Sequence, residues 1–327
     1  MGGRPEVPKC LVSPEEVLSA DEIRCETWIL KTIVTELSTA DDCLRWLARR
    51  RLIRNAVDCV TCGRPASLVA YRQGLDGRRW SCRACGFRRG VRTGSFFERS
   101  HLSLNQTIMF LYCWSQDMPQ NTIARETQMS ESTVVDWSNF CREVCKAWVE
   151  RQQFHEIGGM KENGEPVIVE IDETKYYHRK SHTGRWRAGH WVFGAIERDS
   201  GRCFLAEIPN RNAQTLLALI EEHVLPGSHV MSDELPAYED IGQINDGIYM
   251  HSVVEHKKHF VNPHDSDVNT QTIENLWMQA KRKLRRQCGT SQKLFPSYLH
   301  EFVFRNALRH TDIFSSFLIA LSESYPV

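Results

Sequence analysis

The chain has 327 residues, 41% of them apolar and 25% charged, and its 41 basic side chains balance 41 acidic ones to a formal net charge of zero. This composition belongs to a globular protein with at least one well-filled core and excludes a disordered chain. No run approaches the roughly 18 to 20 apolar residues of a membrane span, and Met1-Gly2-Gly3-Arg4-Pro5-Glu6 has neither a signal-peptide core nor a myristoylation Ser/Thr, so a soluble intracellular protein is expected.

Residues 1–55 read as a Pro- and Gly-bearing lead-in followed by short helices. Ile23 to Leu37 places apolar residues at helical intervals, and Ser38-Thr39-Ala40-Asp41-Asp42 caps a second helix beginning at Cys43. Residues 56–93 hold two C-x-x-C pairs, Cys59/Cys62 and Cys82/Cys85, separated by 19 residues and each followed by glycine (Gly63, Gly86). Two such turns offer four thiolates to one tetrahedral Zn²⁺, and the glycines permit the positive φ the turn requires. All four ligands come from protein, so the metal is structural and the segment reads as a zinc ribbon. The other eight cysteines are scattered and read as small core residues or inert thiols. Between Arg49 and Arg99 thirteen arginines face three acids, a local excess of ten positive charges that points to a nucleic-acid surface despite the neutral total. Arg78, Arg79, Arg88 and Arg89 are the expected DNA contacts.

Residues 94–157 form a helical segment, with Gly94-Ser95-Phe96-Phe97 as connector and a helical pattern from Leu102 to about Arg151. Within it, Gln120 to Trp137 has the form of a helix-turn-helix. Ala124 allows close crossing, Met129 fills the turn, Ser130 caps the second helix, and Val134 and Trp137 point inward. Ser132, Thr133 and Asp136 would then face a groove, although an ordinary helical hairpin fits the same pattern.

After Gly158-Gly159 the character changes, and residues 158–327 read as an α/β domain. Strand-like runs occur at Val167–Ile171, Trp191–Glu197, Cys203–Ile208, His229–Ser232 and Tyr249–Val254, with a hairpin at Arg198 to Arg202 and a helix over Ala213–Val224. A long amphipathic stretch begins near Thr272. Three strands joined by hairpins, a helix, two more strands and a helix is the order of a ribonuclease-H-like fold. Asp172 closes the first run, Asp233 closes the fourth, and Glu274 opens the last helix. Unpaired carboxylates are costly to bury, so three of them on separate elements suggest a shared rim that holds divalent metal. Oxygen ligands favour Mg²⁺ or Mn²⁺, two ions per site in phosphoryl transfer. Lys281 and Arg285 share a helix face with Glu274 and would line the DNA path beside the metals, whereas Lys175, His178, Arg179, Lys180 and Arg185 follow the first strand and read as a phosphate grip or a solvated hairpin. His251, His256, His259 and His264 cluster without the spacing of a second zinc site.

The blocks Ile171-Asp172-Glu173-Thr174-Lys175, Trp191-Val192-Phe193-Gly194, Ser232-Asp233-Glu234-Leu235-Pro236-Ala237-Tyr238 and Thr270 to Trp277 resemble the signatures of Merlin-type DDE transposases, relatives of bacterial insertion-sequence transposases with an N-terminal zinc ribbon. The resemblance covers about residues 160–310. It implies a metal-dependent DNA enzyme that cuts at transposon inverted repeats and joins the freed 3′ ends to target DNA, with Asp172, Asp233 and Glu274 as catalytic residues. It also implies double-stranded DNA as partner, a homodimer or larger assembly on that DNA, and a nuclear location if the host is eukaryotic. Bacterial relatives often carry a histidine just before the last block, where this chain has Val268-Asn269. The rival readings are a domesticated, non-cutting DNA-binding protein, a stand-alone nuclease of similar core, and an RNA-binding zinc-ribbon protein.

Overall fold

The computed structural model describes residues 7–154, 156–176, 189–254, 269–286 and 291–327. It resolves two compact units, Met1–Val144 with Leu308–Val327, and Cys145–Ala307.

The first unit opens with α1 (Ala20–Arg24), α2 (Leu30–Glu36) and α3 (Ala40–Arg49). The single helix expected over Ile23 to Leu37 is therefore two, broken where Glu26 and Trp28 turn toward Arg50. That arginine is only 2% exposed. It ion-pairs with Glu26 and lies 4.1 Å from the Trp46 ring and 5.0 Å from Trp28. A buried guanidinium needs these partners, and meeting that need outweighs helical periodicity. The expected cap of α3 is present, with Thr39 Oγ1 accepting from the Asp42 amide at 3.1 Å.

Strands β1 (Ser67–Ala70), β2 (Arg78–Ser81) and β3 (Arg88–Gly90) then form an antiparallel sheet in that order. The arginine-rich stretch is not wholly a surface feature. Besides Arg50, Arg92 is buried against Asp76, and Arg78 reaches Asp41 through Nε (2.9 Å) and Nη2 (2.6 Å). The expected helical stretch resolves into α4 (Leu104–Ser115), α5 (Gln120–Thr127) and α6 (Glu131–Arg151). Between α5 and α6, Gln128 takes the left-handed conformation (φ 55°) and Ser130 Oγ accepts from the Thr133 amide at 3.1 Å. Ala124, Met129, Val134 and Trp137 are buried.

The second unit is built on a five-stranded sheet. Its strands are β5 (Ile168–Tyr176), β6 (His190–Glu197), β7 (Cys203–Ile208), β9 (His229–Asp233) and β10 (Met250–Val254), and a short parallel pair, β4 (Ile157–Gly158) with β8 (Val224–Leu225), lies outside it. The order is β10-β9-β5-β6-β7. The β5–β6–β7 meander is antiparallel, while β9 and β10 run parallel to β5. That is the mixed sheet expected from the order of the sequence elements. Helix α7 (Ala213–His223) covers one face, where Leu216 and Ile220 join Val169, Ile171, Phe193, Ala195 and Val230 in a core, each of these except the small Ala195 contributing about 1.5–3 kcal/mol by leaving water. Helix α8 (Gln271–Arg286) covers the other face with Ile273, Leu276, Trp277, Ala280 and Leu284, and α9 (Phe295–Ala307) packs along β7. β5 continues to Tyr176 because β6 pairs with it all the way to His190, so Asp172 sits within the strand rather than at its end. Helix α10 (Ile313–Ser324) belongs to the first unit, where Phe314 stacks on Trp46 (6.2 Å between centroids) and Phe317 lies 4.8 Å from Trp114.

Candidate active site and cysteine centre

Strand alternation settles which acids share a face. Glu170, Asp172, Thr174 and Tyr176 are even-numbered and point toward α8, whereas Val169, Ile171, Glu173 and Lys175 point toward α7. On β9, Met231 pairs with Glu170, and Asp233 lies two residues further on, as Asp172 does on β5. Asp172 and Asp233 are thus level on adjacent strands, about 4.8 Å apart in the pairing direction and on one face. Burial pushes the Asp172 carboxyl up, the charges of Glu173 and Asp233 push it further, and the Glu173 amide and Trp277 indole only partly offset them, leaving it at about 7. A carboxylate crowded in this way favours a cation beside it. Asp233 Oδ1 accepts from the Leu235 amide at 3.1 Å, which orients its side chain at the strand end.

Helix α8 brings the third acid. Trp277 Nε1 donates to Asp172 Oδ2 at 2.8 Å, and Glu274 lies in the first turn of the helix, three residues earlier. Residues so spaced have Cβ atoms about 5–6 Å apart. The Trp277 ring fits because its sheet neighbour is Gly194, the cross-strand partner of Asp172; a Cβ there would lie 2.5 Å from the ring. One turn beyond Trp277, Lys281 Nζ donates to Thr174 Oγ1 on the same face. Arg285, a further turn along, is exposed.

Glu170 secures the start of α8. Fully buried, it accepts from Arg198 Nε at 2.8 Å and from the Ile273 amide at 2.9 Å. Arg198 Nη2 in turn donates to the Asn269 carbonyl at 2.8 Å, where the chain enters the helix. A buried carboxylate thus satisfies a free amide of the first helical turn and complements the helix dipole. Sequence reading passed over Glu170, Arg198, Gly194 and the role of Trp277. The available signal was an acid two residues before Asp172 in an otherwise apolar strand, hence on the same face.

The opposite face holds a separate polar cluster. Glu173 accepts from Tyr238 Oη at 2.7 Å and from Arg211 Nη1 at 2.9 Å. Burial raises the Glu173 carboxyl above its ordinary value, with those two hydrogen bonds opposing. Arg211 lies 4.1 Å from the Trp191 ring and Lys175 Nζ 5.3 Å from it. The structure therefore places Lys175 on the face away from Asp172.

In the first unit, Cys59, Cys62, Cys82 and Cys85 bring their sulfurs within 4.8 Å of one another, the one group of its kind among the described residues. Cys59 and Cys85 sulfurs are 3.1 Å apart and those of Cys62 and Cys82 3.6 Å, near the edge of about 3.8 Å for a tetrahedron with 2.3 Å Zn–S bonds. The two turns are alike. The Gly63 amide bonds the Cys59 carbonyl and the Gly86 amide the Cys82 carbonyl, with φ of 67° and 75° at the glycines. Amides of Cys85 and Ala84 lower the Cys82 thiol. Burial opposes ionisation of Cys59, but bonds from Cys85 and from the Thr61 and Cys62 amides outweigh it and lower that thiol, while Cys85, the donor to Cys59, and Cys62 are raised in turn. Donor set, spacing and amide support all fit Zn²⁺.

Among the remaining expected contacts, Arg79 lies over Tyr71 (4.3 Å), Arg88 is exposed, and Arg89 is half-buried. Ser132 is exposed, and the Ser132 and Thr133 hydroxyls share that of Ser130 at 2.9 and 2.7 Å. His178, Arg179, Lys180, Arg185, His256, His259 and His264 lie outside the described residues. His251 is described, and its Nε2 pairs with Ser232 Oγ at 2.9 Å. No helix among the described residues is long and apolar enough to cross a membrane.

Residues 158–307 match the family described as ISXO2-like transposase domain. A Haemophilus influenzae relative, an uncharacterized transposase-like protein, is 32% identical over 104 residues, spanning 32% of this chain and 80% of its own length. Among solved structures, the chain is similar to the catalytic core domain of BIV integrase at 15% identity and a TM-score of 0.30, over 42% of this chain and 80% of that one. It is also similar to the simian T-cell lymphotropic virus intasome in complex with PP2A regulatory subunit B56 gamma, at 12% identity and a TM-score of 0.28, over 44% and 49% of the two chains. At such TM-scores neither structural likeness supports a conclusion.

Proposed function

This chain belongs to the ISXO2-like transposase family, and from that premise we propose that it cuts DNA at transposon inverted repeats and joins the 3′ ends to target DNA, with Asp172, Asp233 and Glu274 holding Mg²⁺ or Mn²⁺. The observation that carries this reading is the level placement of Asp172 and Asp233 on one face of neighbouring strands, with Asp172 pushed to about 7 by burial and by its acidic neighbours. Such a pair repels itself unless a cation or a proton intervenes. A divalent pair bound there supplies activation of the attacking oxygen and neutralisation of charge on the phosphate.

The chain's own residues prepare that site. Trp277 fixes one oxygen of Asp172, the Leu235 amide orients Asp233, and the Glu170–Arg198 latch seats the helix bearing Glu274. Lys281, on the carboxylate face, lies where it can meet a backbone phosphate, with Arg285 extending the same helix face. Lys175, on the other face beside Trp191, would meet DNA only at the C-terminal end of the central strand β5. In the first unit, Zn²⁺ held by Cys59, Cys62, Cys82 and Cys85 stabilises a ribbon whose Arg78, Arg79, Arg88 and Arg89, together with Ser132 and Thr133 at the start of α6, contact double-stranded DNA. Arg78 must leave Asp41 to do so, which makes it the weakest of these contacts. The four signature blocks favour the Merlin-type branch of the family. Two DNA ends are needed for transposition, so the working form is a dimer or larger assembly, acting in the nucleus if the host is eukaryotic.

The test is strand cleavage and strand transfer on duplexes bearing the cognate repeats, with Mg²⁺ or Mn²⁺. Wild type should give metal-dependent cut and joined products, and Asp172→Asn, Asp233→Asn and Glu274→Gln should give none. If wild type and Asp172→Asn behave alike, the enzymatic reading fails and a DNA-binding role without cutting takes its place.

A further inference from the structure

Six arginines of the 49–99 stretch lie partly inside the first unit; three have an acidic partner, a fourth, Arg79, rests over the Tyr71 ring, and Arg54 and Arg89 have neither. Arg50 pairs with Glu26, Arg78 with Asp41 and Arg92 with Asp76. Arg54 and Arg89 come from distant points of the chain, the first just beyond α3 and the second within β3, yet both reach Gly94. An atom built where a Cβ would stand on Gly94 lies 3.5 Å from Arg89 Nη2 and 3.7 Å from Arg54 Nη2. Two guanidinium ends therefore converge on one point. Among the described residues neither has a hydrogen-bond or acidic partner, and the Nε atom of each is buried without an acceptor. The Glu98 carboxylate lies beside Gly94, accepting from its amide at 2.9 Å, but forms no ion pair with either guanidinium.

Like charges held together and partly stripped of water are unfavourable unless an anion joins them. A phosphate matches the pair well, because each guanidinium offers a planar set of donors suited to its oxygens. The meeting point is at the surface: Gly94 is exposed and has no side chain to obstruct approach, with φ of +82°. We propose that Arg54 and Arg89 together clamp a single backbone phosphate of the DNA that the first unit engages. This rests on the DNA-binding part of the function proposed above and adds Arg54, which sequence patterning did not single out. Phosphate contacts of this kind set register on the duplex without reading its sequence.

The experiment measures binding of the full zinc-loaded chain to a labelled random-sequence duplex by fluorescence anisotropy, between about 50 and 200 mM salt. Arg54→Ala and Arg89→Ala should each weaken binding by about tenfold and reduce the salt slope by about one. The double variant should be no weaker than the poorer single within about twofold, because both side chains hold the same phosphate. Arg54→Lys and Arg89→Lys, which keep charge but lose the fork, should retain the slope with intermediate affinity. Unchanged slopes, or losses that multiply in the double variant, overturn the shared clamp. Melting curves identify a variant that fails to fold, and the lysine variants then decide. Should wild type bind no duplex, the DNA-binding reading fails with it, and inorganic phosphate probes the site separately. Phosphate that raises the melting temperature of wild type above that in chloride of equal ionic strength, but not that of the double variant, leaves an anion site standing without DNA; equal shifts remove that too.

Discussion

Burial and the charges of Glu173 and Asp233 bear on Asp172, and they make the stability of the fold depend on pH. The Asp172 carboxyl sits at about 7 in the folded chain, against an ordinary value of about 3.9 when unfolded. The folded state therefore holds the proton more tightly. The stabilisation this gives is complete below about pH 4 and is lost as pH rises through about 7. Without added divalent metal, Asp172→Asn should melt higher than wild type near pH 8 and about equally near pH 4, and magnesium should narrow the difference at the higher pH by binding wild type alone. A gap in melting temperature that does not change with pH would contradict this account. Gly194 is the second telling residue. Gly194→Ala drives a methyl group into the Trp277 ring, and overpacking of that kind costs about 1–3 kcal/mol. Urea denaturation should show that loss, along with weaker Mn²⁺ binding, since the displaced indole no longer donates to Asp172.

Among the elements, α8 depends most on a remote partner. Its amphipathic pattern was legible, because Ile273, Leu276, Trp277, Ala280 and Leu284 recur at helical spacing on one buried stripe. Its seating was not legible: the acceptor for the Ile273 amide is Glu170, about a hundred residues earlier. Arg198→Ala should leave the fully buried Glu170 charge unpaired and cost about 3–5 kcal/mol. Glu170→Gln, which retains an acceptor for the Ile273 amide and removes the charge, should cost less. Equal losses on denaturation would argue against the latch. β5 shows the same limit from the other side. Its apolar run ends at Ile171, yet β6 and α8 between them draw the strand on to Tyr176. Likewise, the helical periodicity over Ile23 to Leu37 yields to the need of buried Arg50 for Glu26 and the neighbouring indoles.

On the scale of the whole molecule, the two units divide the proposed labour between a cysteine centre and a carboxylate face. Structural zinc contributes directly to folding where the cysteine turns have little core beneath them. Chelation should therefore raise amide hydrogen exchange over residues 57–90 while leaving exchange in β5, β6 and β9 of the second unit unchanged. Uniform loss of protection in both units would show that the metal is not confined to the role given it here. Helix α10 adds something composition did not foretell: it completes the core of the first unit, with Phe314 stacked on Trp46 and Phe317 tilted against Trp114.

Local chemistry and spacing were enough to mark the paired cysteine turns, the succession of strands and helices along the α/β unit and its long amphipathic helix, and to nominate Asp172, Asp233 and Glu274 as ligands. These depend on neighbours a few residues apart, or on a periodicity that any reader of the chain can count. Tertiary structure alone decided that Asp172 and Asp233 stand level, that Trp277 and Gly194 fit against each other beside them, that Glu170 and Arg198 secure α8, and that Arg54 meets Arg89. Each of these joins residues far apart in the chain, and whether a charge is answered or left bare depends on which distant group folding brings to it.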